Sequence, residues 1–323
     1  MITAQLSPQQ MDALVARFRD GPRWTPLMAP PGFASHAGAA VESLPGCAVA
    51  VVRFAPGEST RPWLYRARTE HVMCLEGRFE LSCRGSSVRL ERFDLASIPA
   101  NLLHSVRNVS DRPARLLVVT QIDRSLPDVM AFEGGEDAEP AVSRAASRVP
   151  YQKSLTDRDG LPGEVMQFMA SSRGVYPIVV PPNVQGRNRN APLRGLPGSS
   201  VSLIECAPGD GPQPHAHTDT REIFLCVEGR FDIVWGDRNE HRLTLKPLDL
   251  VSVPPTVMRL FRNSGEGTSW LMVIIQGDDD MTDAIKSFPE LAMEVESRFG
   301  REAVEAITRV VKQTFDAVPG SSA

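Results

Sequence analysis

Short apolar segments separated by turn-forming residues recur along most of the chain. They are rich in Val, Leu, Ile and Phe, and Gly, Pro, Asp and Asn bound them at intervals of about 8–12 residues. The predicted strands are 48–54, 70–75, 79–83, 94–98 and 115–121 in the first half, and 201–206, 222–227, 231–235, 248–253 and 270–276 in the second. Many short antiparallel strands predict a closed β-barrel or jelly roll, because closure leaves no exposed sheet edge.

The second half of the chain repeats the first. The segment Glu70-His-Val-Met-Cys-Leu-Glu-Gly-Arg-Phe79 aligns with Glu222-Ile-Phe-Leu-Cys-Val-Glu-Gly-Arg-Phe231, with six of the ten positions identical. The offset is 152 residues here (222 − 70) and 155 further on, where Asp94 aligns with Asp249. The three added residues fall around 236–241, where a hairpin loop tolerates insertion. Two copies of one domain are therefore predicted.

The repeat sets the predicted domain boundaries. The first domain is expected over 1–125 and the second over 156–280. Between them, the acidic and turn-rich residues 132–140 indicate an exposed linker, taken as 126–155. Residues 281–323 form a C-terminal tail of different character.

Both ends of the chain show helical patterns. Ser7-Pro8-Gln9-Gln10 is typical of a capping box with proline in the first turn, which predicts a helix from 8 to 19. In the tail, apolar residues recur at helical spacing, with Gly300 as a break: Phe288, Leu291, Val295, Phe299, Val304, Ile307, Val310, Val311 and Phe315. Two amphipathic helices are expected, with their apolar face buried against the barrels or a second subunit.

Composition narrows the class of protein. Hydrophobic residues make up 42% and charged residues 23%, enough apolar residues for a packed core. A net charge of −4 argues against a nucleic-acid partner. No apolar run is long enough to span a membrane, the first ten residues do not resemble a signal peptide, and the five cysteines form no CxxC pair, so a cytoplasmic protein is expected.

The second copy carries a metal-binding pattern, Gly209-x5-His215-x-His217-x4-Glu222-x6-Gly229. Alternation along a strand places the two histidines on one face, and a short turn brings in the glutamate from the next strand. Two imidazoles and one carboxylate form a facial triad that suits Fe(II), Mn(II), Ni(II) or Zn(II) and leaves coordination positions open. The alternative is two neighbouring histidines on an ordinary solvated loop.

This spacing resembles the first signature of the cupin superfamily, and the doubled form resembles a bicupin. The resemblance covers most of residues 24–276 and implies an all-β fold: two tandem cupin-type antiparallel β-barrels (jelly rolls), with a short helical N-terminus and a C-terminal helical tail. The second cupin signature is incomplete. Pro254 and Asn263 are present, but Thr256 replaces a glycine and Arg259 replaces the histidine that is the fourth metal ligand in typical cupins.

Arg259 cannot be a metal ligand, because a guanidinium has no lone pair to donate. As a catalytic and substrate-binding candidate, it would clamp a carboxylate or other anionic group of a metal-bound substrate. Two alternatives are an ion pair with Glu222, which would weaken metal binding, and a side chain that reaches to the rim.

The first copy keeps the same frame with different side chains, Gly57-x5-Trp63-x-Tyr65-x4-Glu70-x6-Gly77. Trp63 and Tyr65 occupy the two histidine positions, whereas Glu70 and His104 remain. A metal is not expected here, since a neutral phenol is a poor ligand. Trp63 and Tyr65 are expected to fill the mouth of the barrel or to stack on a small ligand, with Glu70 and His104 as further weak candidates for substrate binding.

Three classes of function follow from these residues and from the resemblance. The leading one is a metal-dependent enzyme, an Fe(II) dioxygenase or other oxidoreductase that oxidises a small anionic molecule. The second is a non-redox lyase or isomerase that uses the same ligands. The third is a non-catalytic small-molecule-binding protein, because fold alone does not determine function. A small-molecule substrate is the expected partner, and a homodimer is plausible for a bicupin.

Overall fold

The structure is a computed structural model that describes residues 1–19, 23–33, 37–136, 138–153, 161–184, 188–279, 281 and 283–320. The chain divides into two compact units, each of which contains one of the predicted copies. The first unit comprises Ala16–Arg148 and Pro192–Ser199. The second unit comprises Met1–Val15, Val149–Ala191 and Ser200–Ala323.

The described elements are mostly short strands, as the sequence predicted. In chain order they are α1 (Pro8–Asp12), β1 (Val15–Ala16), β2 (Trp24–Ala29), β3 (Val41–Glu42), β4 (Cys47–Phe54), β5 (Leu64–Tyr65), β6 (Arg68–Glu76), β7 (Phe79–Cys83), β8 (Ser86–Leu90), β9 (Leu95–Ile98), β10 (His104–Asn108), β11 (Ala114–Ile122), β12 (Met130–Ala131), β13 (Ala141–Ser143), a 3-10 turn (Ala145–Ser147), α2 (Gly163–Ala170), β14 (Gly174–Val180), β15 (Leu193–Arg194), β16 (Ser199–Cys206), β17 (Ala216–His217), β18 (Arg221–Glu228), β19 (Phe231–Trp235), β20 (His241–Leu245), β21 (Leu250–Val253), β22 (Arg259–Asn263), β23 (Ser269–Gln276), β24 (Ile285–Lys286), α3 (Pro289–Phe299), α4 (Arg301–Val311) and β25 (Gln313–Thr314).

The first unit is a sandwich of two sheets. The larger sheet has the order β13-β9-β6-β11-β4-β2-β3 and the smaller one the order β10-β7-β8. Apolar side chains from both sheets form one core between them, including Phe54, Val72, Phe79, Leu81 and Leu116. The two sheets remain separate, so the all-β cupin-type architecture is confirmed as an open jelly roll rather than as the closed barrel that was expected.

The second unit repeats this arrangement. Its larger sheet contains β21-β18-β23-β16-β14 in that order, and its smaller sheet is β20-β19-β22. The hairpin β7–β8 turns between Cys83 and Ser86, whereas the equivalent hairpin β19–β20 turns between Trp235 and His241. The three-residue insertion therefore lies in this hairpin loop, as predicted.

The N-terminal segment packs with the second unit, although the repeat had grouped it with the first domain. Its capping box is present, since the Ser7 hydroxyl accepts from the Gln10 amide and the Gln10 side chain accepts from the Ser7 amide. The helix ends at Asp12 rather than near residue 19, because the next residues pair with the second unit: the Ser252 amide donates to the Leu14 carbonyl. Met11 is fully buried in the second unit's core.

Described parts of the predicted linker and tail form elements of the two units. Within 126–155, β12 pairs with β5 and β13 pairs with β9, so both strands belong to the first unit. The two predicted C-terminal helices are present, and Gly300 separates them with a φ of 83°. Their apolar face packs against α2 in a second core of the second unit. Among the described residues, no helix is both long and apolar enough to cross a membrane.

Candidate metal centre

The structure brings His215, His217 and Glu222 together in the second unit. Their ligand atoms all lie within 4.8 Å of one another. His215 Nε2 is 4.0 Å from Glu222 Oε2, and His217 Nε2 is 3.9 Å from Glu222 Oε1. His217 lies on β17, and His215 precedes this strand and forms a β-bridge with Arg259. Glu222 lies on β18 between β21 and β23. Among the described residues, this is the only group of three or more His, Cys, Asp or Glu side chains close enough to hold a metal.

Both imidazoles present a lone pair to the centre. His215 Nδ1 lies 2.9 Å from the Gln213 carbonyl, and His217 Nδ1 contacts the Asp283 carboxylate. Because these oxygens only accept, each Nδ1 carries the proton and each Nε2 is free to bind a metal. Burial, reinforced by the charge of Arg259, lowers the pKa of His215 to about 3 and also lowers the pKa of His217. Both rings are therefore neutral at neutral pH, as metal ligands must be.

Arg259 is fully buried beside Glu222. Its Nε donates to Glu222 Oε2 at 2.9 Å, its Nη2 lies 2.7 Å from the same oxygen, and its Nη1 donates to the His215 carbonyl at 3.0 Å. Of the three roles considered for this residue, the ion pair with Glu222 is the one present. Burial would raise the pKa of Glu222, but the Arg259 charge, together with the two histidines and the hydrogen bond from Arg259, holds this pKa below its usual range.

The remaining donor atoms fit a divalent metal ion. Arg259 engages only Oε2 of Glu222, so Oε1 keeps its lone pairs beside His217. Two neutral imidazole nitrogens and one carboxylate oxygen match the facial triad of non-haem iron sites. The neighbouring guanidinium acts against this fit, because it repels a second cation and neutralises part of the carboxylate charge.

Asp283 is part of the centre and was not predicted from the sequence. Besides contacting His217 Nδ1, it accepts from the Thr220 hydroxyl at 2.9 Å and from the Asp219 amide at 3.1 Å. Burial would raise its pKa, but these hydrogen bonds, above all the one from His217, lower it well below its usual range. A carboxylate behind a ligating histidine fixes the tautomer and the orientation of the ring. No local motif marks Asp283, because it reaches His217 only through the pairing of β17 with β24.

An apolar cavity of about 140 Å³ adjoins the three candidate ligands. Its walls include Met166 and Met169 of α2, Ile275 of β23 and Ile307 of α4. A dry protein cavity of roughly 150 Å³ holds a molecule of the size of benzene. The cavity therefore fits one small ring next to the centre.

The first unit places its four candidate residues in a corresponding arrangement. Trp63 Nε1 donates to Glu70 Oε2 at 3.1 Å, and His104 Nε2 lies 3.5 Å from the same oxygen. The rings of Trp63 and His104 are in contact, with centroids 4.1 Å apart. Tyr65 lies under the guanidinium of Arg68, which is 3.9 Å from the ring centroid. Trp63 thus fills the position that His215 holds in the second unit, and its indole donates to one of the two carboxylate oxygens of Glu70.

Comparison with known proteins supports the architecture seen here. The Cupin domain family matches residues 50–120 and 202–275, one match in each copy. These two matches show that the chain contains two cupin domains in tandem. No curated protein matches the sequence.

The similar solved structures include bicupins. Salicylate 1,2-dioxygenase from Pseudaminobacter salicylatoxidans has a TM-score of 0.54 and 17% identity, over 79% of this chain and 77% of that one. A variant of that enzyme in complex with gentisate has a TM-score of 0.53 and 18% identity, over 79% of this chain and 74% of that one. At this identity the likeness shows a shared fold.

Proposed function

We propose that the second cupin domain is a metal-dependent dioxygenase centre that acts on a small, anionic, ring-sized organic molecule. The observation that carries the proposal is the convergence of His215, His217 and Glu222 at the wall of an apolar cavity. These three residues would hold the metal. Fe(II) suits them best, because two histidines and one carboxylate are typical of oxygen-activating iron sites. A bound ferrous ion supplies open positions for substrate and dioxygen, together with reducing electrons.

The buried charges favour an anionic substrate. Arg259 contributes one positive charge, and Glu222 and Asp283 contribute one negative charge each. A divalent ion among them leaves one positive charge in excess. Excess charge is costly in a buried site, so a ligand with one carboxylate stabilises the loaded centre.

The protein residues have distinct roles in this proposal. Arg259 fixes Glu222 through Oε2, and Asp283 fixes the ring of His217. The apolar walls formed by Met166, Met169 and Ile307 exclude water and orient an aromatic ring. The fold shared with salicylate 1,2-dioxygenase, whose name denotes an aromatic carboxylate as substrate, is consistent with this choice.

A second candidate function is small-molecule binding without a metal. It is favoured by the buried Arg259–Glu222 ion pair, which already compensates the carboxylate charge. A lyase or isomerase with a non-redox metal would use the same three metal ligands. Only a measurement of turnover separates that class from a dioxygenase.

The first test is metal stoichiometry. We expect protein incubated anaerobically with ferrous ion and then desalted to retain about one iron per chain. The variant His215→Ala is expected to lose it, because two ligands hold a divalent ion poorly. The matched control is His241→Ala, since His241 begins β20 in the same unit, outside the group of ligands. Absence of metal from both the parent protein and His215→Ala would favour the metal-free binding function.

The second test is turnover. Oxygen consumption is measured with the iron-loaded protein and salicylate, gentisate or the neutral control benzyl alcohol. We expect consumption with at least one carboxylate and none with benzyl alcohol. Product formed under nitrogen by protein loaded with Zn(II) or Mn(II) would instead support the lyase or isomerase class.

A further inference from the structure

The first cupin domain keeps a cavity although its metal-ligand positions are substituted. The cavity has a volume of about 400 Å³, larger than the one beside the candidate metal centre. Aliphatic side chains such as Val72 and Val118 line it together with Trp63 and Tyr65. A space of this size and apolarity is typical of a small-molecule site.

Glu70 lies in the wall of this cavity and uses one of its two carboxylate oxygens for its contacts within the protein. The residue is 5% exposed. Its Oε2 receives the hydrogen bond from Trp63 and lies near His104, whereas no residue in the described part of the chain donates to its Oε1. A buried carboxylate with one neutral donor is unfavourable, because the solvation it lost is only partly replaced. This acceptor therefore favours a ligand that brings a donor into the cavity.

The charges around the cavity define the ligand further. No arginine or lysine forms an ion pair with Glu70 among the described residues, so its charge is not compensated as that of Glu222 is. The two arginines that line the cavity are exposed: Arg23 pairs with Glu58, and Arg61 stacks on Phe132. The buried Arg68, behind Tyr65, is paired with Asp128. An ammonium group compensates a buried carboxylate better than a hydroxyl does, because a charge-assisted hydrogen bond is the stronger one.

We propose that the first cupin domain binds an organic amine with an apolar, ring-bearing body. The ammonium group donates to Glu70 Oε1, and the body packs against Trp63, Val72 and Val118. This site is separate from the candidate metal centre and requires no metal. The amine is held at the positions that correspond to the candidate metal-binding side chains of the second domain. The two copies have therefore diverged in the chemistry that they recognise.

The test uses phenethylamine and 2-phenylethanol, which share a shape but differ in charge. Isothermal titration calorimetry of the full chain is expected to show phenethylamine binding at least about tenfold more tightly. Glu70→Gln is expected to remove this preference, because the amide is neutral but of similar size. The control Glu76→Gln lies on the same strand with its side chain 56% exposed, and it should bind like the parent protein.

Two further variants locate the binding and guard against misfolding. His215→Ala alters only the second domain and should leave phenethylamine affinity unchanged. Val118→Phe places a larger side chain in the first cavity and should abolish binding of both probes.

Thermal unfolding of Glu70→Gln without ligand is expected at the same or a higher temperature than that of the parent protein, because the substitution removes a buried charge. Equal affinity for the two probes, an unchanged preference in Glu70→Gln, or loss of binding in His215→Ala would each overturn the proposal.

Discussion

At the scale of single residues, Arg259 determines which side-chain group stands beside the glutamate of the candidate metal centre. It pairs in a β-bridge with His215, just as His104 pairs with Trp63 in the first domain. In both domains the residue at this position lies beside the glutamate of the repeated motif, Glu222 or Glu70. The same backbone position therefore presents either an imidazole or a guanidinium to a carboxylate. An imidazole could serve as a fourth metal ligand, whereas a guanidinium could not.

Arg259→His should strengthen metal binding. The substitution removes a cation that repels the metal and adds an imidazole lone pair where typical cupins have one. We expect the dissociation constant for Mn(II) or Fe(II) to fall by at least about tenfold, measured by anaerobic titration. Arg242→His, at a side chain that is 69% exposed, is the control and should leave the constant unchanged. Weaker metal binding in a folded Arg259→His protein would show that the guanidinium supports the site.

Asp283→Asn should weaken metal binding without preventing folding. The amide cannot accept from His217 Nδ1 as strongly as the carboxylate does, so the ring loses basicity and orientation. Loss of such a partner typically costs about 10–100-fold in metal affinity. Asp219→Asn, an exposed neighbour whose backbone amide donates to Asp283, is the matched control and should have little effect. Equal metal affinities in the two variants would show that the Asp283 carboxylate does not support metal binding.

At the scale of the elements, strand pairing positions the buried histidine His71. His71 follows Glu70 on β6 but is not among the residues that line the cavity, because successive side chains of a strand point to opposite faces. Its Nε2 lies 2.9 Å from the side-chain oxygen of Gln121 on β11, and the Gln121 amide donates to the Ser199 hydroxyl at 2.8 Å. Burial lowers the pKa of His71 to about 4. The ring is thus a structural contact between strands and the segment that ends at Ser199.

The stability of the first unit should fall in mild acid because of His71. Its folded pKa of about 4 lies below the ordinary value of 6.5, so protonation favours the unfolded state. The contribution is fully present above pH 6.5 and is lost as the pH falls from 6.5 to 4. Compared with His71→Gln, the parent protein should lose roughly 3 kcal/mol of unfolding free energy between pH 7 and pH 4. Parallel urea denaturation curves at the two pH values provide the measurement, and a constant difference between the proteins would contradict it.

Contacts at the scale of the whole molecule do not follow the order of the chain. The first residues precede the first copy in sequence but pack with the second unit. Met11 enters the core of that unit, and the indole of Trp235 donates to the Leu6 carbonyl at 2.8 Å. The second unit therefore contains residues from both ends of the chain.

Met11→Ala should destabilise the second unit selectively. Truncating a buried methionine typically costs about 2–5 kcal/mol. Amide hydrogen exchange should accelerate in β18 and β23 but not in β6 and β11. Met293→Ala is the matched control, because Met293 is 69% exposed on α3. Equal acceleration in both units would show that the N-terminal segment supports the molecule as a whole.

The sequence by itself determined the features that depend on local pattern and on internal comparison. Short apolar segments bounded by turn residues predicted the main strands, the repeat predicted two domains, and helical spacing around Gly300 predicted the two C-terminal helices. The spacing of His215, His217 and Glu222 predicted their convergence, because alternation and a short turn are properties of neighbouring residues.

Only the tertiary structure decided the features that join distant segments. The contact of Asp283 with His217 and the hydrogen bond from Trp63 to Glu70 depend on how strands pair and on which side chains meet inside a core. The tertiary structure also decided that Arg259 pairs with Glu222, because the sequence was compatible with more than one role for Arg259. The N-terminal helix ends early for the same reason: pairing with β21 outweighs the weak helix propensity of a short segment.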